Sequence, residues 1–169
     1  MAKVAALSPR VLVIDTSYLL ELYKVPHYSE PKAHAEIKKR FAKAVEAGSR
    51  RYVPFPVIFE VANHIVDGRE EGARIKLAQL FVEHVLQSFE RASPFIITPA
   101  LDAENLKMLL ERFAGEFAPQ RVGLTDTSII EEAQRLKQKY GDSYKVHIWT
   151  KDRRLKAREP DTEPDPFVV

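Results

Sequence analysis

Four acidic residues fall where a chain of alternating strands and helices can bring side chains together. Asp15 closes the apolar run VLVID, Glu60 lies about one turn into PVIFEVANHI, Asp126 opens GLTDTSIIEEAQRL, and Asp152 follows VHIWT. Each has an ordinary alternative: Asp15 as a helix cap, Glu60 as a solvated helix residue, Asp126 as a first-turn acid favoured by the helix dipole, Asp152 as a turn residue in a basic loop. Glu60, however, is set among Val57, Ile58, Phe59 and Val61, which implies partial enclosure. The four together pose a physical problem, because carboxylates gathered in a partly buried crevice need raised pKa values or cations between them. The chain of 169 residues has no cysteine and no cluster of histidines, so hard cations that prefer oxygen, Mg²⁺ or Mn²⁺, are the expected partners, one or two in number. A pair of such ions about 4 Å apart can activate a water and stabilise the leaving oxygen of an in-line phosphodiester displacement.

These residues depend on particular elements. VLVID is fully apolar before its acid, as expected of a strand covered on both faces. A helix is expected from about Tyr18, and a second from Ser29 as N-cap through Pro31 to a stop at Gly48. RYVPF is read as the second strand, PVIFEVANHIVDG as a helix started by Pro56, and Arg69 to Ala92 as a long helix. That helix carries apolar residues over a face wider than one core contact needs, so a homodimer is expected. PFIITPA is the third strand, Asp102 caps the next helix, Thr125 caps the helix after it, and YKVHIWT is the fourth strand. The acidic, proline-punctuated tail 159–169 ends in an apolar triplet that could add an edge strand. Alternating strands and helices imply an α/β fold with a parallel sheet, whose ligand crevice lies beyond the carboxyl ends of the strands where their order reverses. We expect one domain over 1–169, with its core at about 11–155.

The net charge of +2 says little, but two clusters are basic: Arg50 and Arg51, and Lys151, Arg153, Arg154, Lys156 and Arg158 around one aspartate. No apolar run is long enough to cross a membrane and no leader is recognisable, so a soluble, cytoplasmic protein is expected. With six glycines and neither G-x-x-x-x-G-K nor G-x-G-x-x-G, the sequence offers no phosphate-cradling loop.

The succession VLVIDTSYLL, VPFPVIFEVANHI, GLTDTSIIEEAQRL and VHIWTKDRRL resembles the PIN-domain ribonucleases, a family that includes the VapC-type toxins, over about Val11 to Leu155. The resemblance implies a three-layer α/β/α sandwich with a central parallel sheet of strand order 3-2-1-4-5, and RNA cleavage with Mg²⁺ or Mn²⁺. It implies that Asp15, Glu60 and Asp126 are core metal-binding acids and Asp152 a more variable fourth. Ser17 and Thr150 would support the site, and Lys151, Arg153, Arg154 and Arg51 would hold flanking phosphates. A toxin would have an antitoxin partner. The long helix and the size of the chain set it apart from the leanest toxins, which keeps open a stand-alone RNA-processing nuclease and a non-catalytic RNA- or partner-binding module. A phosphoaspartyl phosphatase with Asp15 as nucleophile would need an aspartate two residues on, where this chain has Ser17.

Overall fold

The computed structural model describes residues 9–169; residues 1–8, part of the expected domain, lie outside the described ones. Strand β1 (Val11–Ile14) is inaccessible to solvent along its whole length, because it pairs on both sides and is covered on both faces. Thr16–Leu22 (α1) and Pro31–Glu46 (α2) lead to β2 (Arg50–Val53); Phe55–Val66 (α3) and Glu71–Arg91 (α4) lead to β3 (Ile96–Ile97). Ala103–Arg112 (α5) runs through a π turn and a 3-10 turn to Leu124–Tyr140 (α6), β4 (Val146–Trp149) and a short helix, Arg153–Lys156 (α7). The four strands form an all-parallel sheet of order β3-β2-β1-β4 flanked by helices. The order reverses at β1, so the ends of β1 and β4 open onto the crevice.

Local chemistry adjusts several expected boundaries. Asp15 caps α1, which starts at Thr16 rather than near Tyr18. Glu30, not Ser29, precedes α2, because the Ser29 hydroxyl is drawn instead to Glu21 Oε2 at 2.8 Å. Gly123, not Thr125, precedes α6, and Thr125 lies within its first turn. Asp102 caps α5 as expected, accepting from Asn105 N–H at 2.8 Å.

Among the described residues there is no fifth strand. Pro160, Pro164 and Pro166 cannot donate to a ladder, and side chains do the work of the missing neighbour. Val146 N–H donates to Asp161 Oδ2 at 2.8 Å, Ile148 N–H to Glu159 Oε2 at 3.0 Å, and Lys156 Nζ to the Ile148 carbonyl at 2.9 Å. The edge strand β4 is consequently as buried as the central β1. The tail then turns back, and Glu163 binds Lys156 Nζ at 2.5 Å, Arg10 Nη1 at 2.9 Å and Trp149 Nε1 at 3.1 Å. Tyr18 Oη donates to the Phe167 carbonyl at 3.0 Å and Val169 N–H to the Lys151 carbonyl at 2.9 Å, so the tail finishes at the carboxyl edge.

Burial pushes the Glu163 carboxyl up, but Lys156 and Trp149 outweigh it and hold the group below its ordinary value. Glu163→Ala should destabilise the protein by about 3 kcal/mol, near the lower end of the range for a broken buried pair, because Glu159 still accompanies Lys156 at 2.7 Å. Replacing Lys156 and Glu163 together by apolar residues should cost less; urea denaturation of both variants checks the pair.

Candidate functional site

Asp15 stands where the chain leaves the sheet, largely buried, and its Oδ2 accepts from Ser17 Oγ at 2.6 Å, Ser17 N–H at 3.3 Å and Thr150 Oγ1 at 2.8 Å. The two hydroxyls are themselves acceptors. Ser17 Oγ receives Lys151 N–H at 2.9 Å, and Thr150 Oγ1 receives Asp152 N–H at 3.0 Å. Two relays, each running from a backbone amide through a hydroxyl, thus end on one carboxylate oxygen and tie the loop after β4 to the end of β1. Burial raises the Asp15 pKa, against the lowering effect of these hydrogen bonds.

Glu60, half-buried on α3, accepts from Thr16 Oγ1 at 2.6 Å. Thr16 was not singled out in the sequence, although its place in the polar triplet directly after an apolar strand was a usable signal. Asp126, in the first turn of α6, has its carboxyl pushed up to about 6, first by burial and then by the charges of Asp15, Asp152 and Glu60. All three other acids therefore act on Asp126 through space. Asp152 is exposed and caps α7, with Oδ1 accepting Arg154 N–H at 2.7 Å and Leu155 N–H at 3.4 Å. The cap reading holds for Asp15 and Asp152.

Among the described residues none of the four acids has an ion-pair partner. Nor do any three Asp, Glu or His side chains among them stand close enough to hold a metal ion as they lie. The donor chemistry still fits a hard cation, since the four acids and the hydroxyls of Thr16, Ser17 and Thr150 that bond them offer oxygen alone.

The basic residues divide. Lys151 Nζ is bound at 2.6 Å to Oε1 of Glu21, a fully buried acid that also accepts from Ser29 Oγ and Glu30 N–H. Arg51 does not join the acids: its guanidinium is half-buried and donates to the carbonyls of Pro94 at 3.0 Å and Ser49 at 2.7 Å, near the amino ends of the strands. Arg153 and Arg154 are exposed on α7, and Arg154 lines a cleft with Asp126 and Asp152. The histidines lie elsewhere: His64 stacks on Tyr28, His84 bonds Tyr23 Oη and His147 the Asp161 carbonyl.

No protein-family model matches the chain, and no curated protein matches it.

A carboxyl with a raised pKa binds its proton more tightly in the folded protein, so its contribution favours the fold below the ordinary carboxylate range and is lost as pH rises toward 6. In EDTA, the melting temperature of the wild-type protein relative to Asp126→Asn should fall between about pH 4 and pH 6 and then level off. A difference that stays flat, or rises, would contradict the repulsion assigned to this group.

Proposed function

We propose that the protein is a divalent-metal-dependent nuclease that hydrolyses RNA phosphodiester bonds. The observation that carries this reading is the raised carboxyl of Asp126, which is pushed up by burial and by the charges of three acids from three other segments, Asp15, Asp152 and Glu60. Asp15, Glu60, Asp126 and Asp152 are the residues that would hold Mg²⁺ or Mn²⁺. Bound there, the cation would polarise the phosphate and make a water nucleophilic near neutral pH. Ser17 and Thr150 orient Asp15, Thr16 orients Glu60, and Asp126 can hold a proton at its carboxylate near pH 6. Glu60 and Asp152 each have one carboxylate oxygen engaged, Oε2 with Thr16 and Oδ1 at the cap of α7. The architecture proposed is the three-layer PIN arrangement, with the tail in the place of its fifth strand.

Asp15→Asn and Asp126→Asn should each reduce Mn²⁺-dependent RNA cleavage to the level of a metal-free control, while Asp126→Asn melts at the wild-type temperature or above. Cleavage retained by both variants would overturn the assignment. The engaged state of Glu60 and Asp152 favours a second reading, an RNA- or partner-binding module without turnover; calorimetry that finds no Mn²⁺ binding would select it. As a nuclease the protein serves either as a toxin held by an antitoxin or as a stand-alone processing enzyme.

We propose further that a second copy covers the apolar stripe of α4, where Val82, Leu86 and Phe89 are 52%, 56% and 59% exposed. Light scattering should give twice the mass of one chain, and a clean monomer at micromolar concentration would reject the dimer.

A further inference from the structure

A cleft of about 650 Å³ contains both Asp126 and Asp152, and three arginines, Arg121, Arg154 and Arg158, share its lining. The volume lies in the range of ligand-binding clefts. One side is formed by the π turn Phe113–Phe117 and the 3-10 turn Ala118–Gln120, the other by α6 and the chain from Asp152 to Arg158. A π turn is uncommon and is found disproportionately at functional sites. Here it delivers Glu116 and Phe117 to the cleft, and the 3-10 turn delivers Gln120 with Arg121 at its end.

What distinguishes these arginines is that they have no carboxylate partner among the described residues and also line this cleft, whereas Arg50, Arg51, Arg69, Arg74, Arg91 and Arg153, likewise without one, lie outside it. Arg10, Arg40, Arg112 and Arg135 are all ion-paired, and Arg112 also occupies Glu116, the remaining acid of the cleft lining, at 2.8 Å. Among the described residues Arg121, Arg154 and Arg158 have no carboxylate partner. Arg158 is instead pre-positioned by neutral groups: Nη2 donates to Gln120 Oε1 at 2.5 Å, and the guanidinium lies 5.8 Å from the centre of the Phe117 ring. That bond joins the two sides of the cleft and leaves further N–H donors unspent. Arg121 stands at the end of the 3-10 turn with a left-handed φ of 59°, exposed, its amide bonded to the Ala118 carbonyl at 2.9 Å. A planar guanidinium without a carboxylate, held by a ring and an amide, matches a phosphate in two-point contact.

We propose that Arg121 and Arg158, aided by Arg154, form a phosphate subsite in the cleft of Asp126 and Asp152, and hold one nucleic-acid strand by a phosphate neighbouring the one presented to the acids. This rests on the nuclease reading and specifies its substrate as a single extended strand, taken up between the two sides that the Arg158–Gln120 bond joins.

The test is fluorescence anisotropy with a short labelled single-stranded RNA in EDTA, where nothing is cleaved. Arg121→Ala with Arg158→Ala should weaken binding about tenfold at low salt and reduce the slope of log Kd against log salt by about 1.4, the value for two phosphate contacts on a single strand. Arg158→Lys should restore the slope while recovering only part of the affinity, because it returns the charge without the fork. If Arg158→Ala lowers the melting temperature, exposed Arg121→Ala alone carries the test, with a slope change of about 0.7. Wild-type affinity and slope in these variants would overturn the subsite, and equal affinity for a duplex of the same sequence would overturn the choice of a single strand. Arginine-dependent binding by a wild-type protein that cleaves nothing in Mn²⁺ would support the subsite and sink the nuclease reading. Cleavage whose KM ignores both arginines would sink the subsite alone.

Discussion

Asp15 Oδ2 receives the Ser17 and Thr150 hydroxyls, and through them it holds the backbone amides of Lys151 and Asp152. Hydrogen bonds to a charged acceptor contribute roughly 1.5–3 kcal/mol each, so this one carboxylate offsets much of the cost of its own burial. The geometry also decides where everything else at the carboxyl edge can be. Because β1 and β4 are paired in register from Val11 with Val146 to Ile14 with Trp149, the relays close a ring that begins in the sheet and ends in the loop. Asp152 and the start of α7 are thereby fixed relative to Asp15, although 137 positions of numbering separate Asp15 from Asp152. The carboxylate has a positional role before any chemistry is asked of it.

The acids of this protein fall into two physical classes. Glu21 is matched by Lys151, Glu132 by Arg135, Asp161 by Lys137, and Glu163 by Lys156 and Arg10. Those residues close the core and the edge of β4, and each buried charge has an opposite charge beside it. Asp15, Glu60 and Asp152 are supported only by hydroxyls and backbone amides, and the Asp126 carboxylate has no hydrogen-bond donor among the described residues. Such donors stabilise and orient a carboxylate but add no positive charge, so the mutual repulsion remains and shows itself at Asp126. A fold that neutralises these structural acids and leaves Asp15, Glu60, Asp126 and Asp152 without an ion pair among the described residues concentrates unfavourable electrostatic energy at Asp126.

The sequence disclosed what periodicity and composition encode. Strand β1 was legible because a strand buried on both faces must be continuously apolar, and the end of that run located Asp15. The four parallel strands, the long helix α4 and the cap at Asp102 followed from equally local signals. The tail did not, because carboxylates that accept from the amides of β4 leave no alternating pattern and look like ordinary acidic residues. The cations were harder still. Lys151 reads as a phosphate ligand until Glu21, 130 residues away in the chain, is found against it, and Arg51 reads the same way until its carbonyl partners are located. Ser29 was misread as a cap because its hydroxyl serves that same distant glutamate. Partners remote in sequence decide whether a charge is spent or available, and one-dimensional spacing does not contain them.

The arrangement of charge within the cleft explains why its acids and arginines coexist without neutralising one another. Flexible side chains of opposite sign in one cavity would collapse into ion pairs if each were free to move. Here Asp152 is held by the amides of α7, while Arg158 is held by Gln120 and by the Phe117 ring. The result is a cavity with a negative part and a positive part kept distinct by neutral tethers. A ligand with a single charge would satisfy one part and be repelled by the other. A polyanion accompanied by a cation would suit both, Asp126 and Asp152 answering the positive charge and the guanidiniums a phosphate. On the proposed reading, a bound cation would relieve the charges of Asp15, Asp152 and Glu60 that help to raise the Asp126 carboxyl.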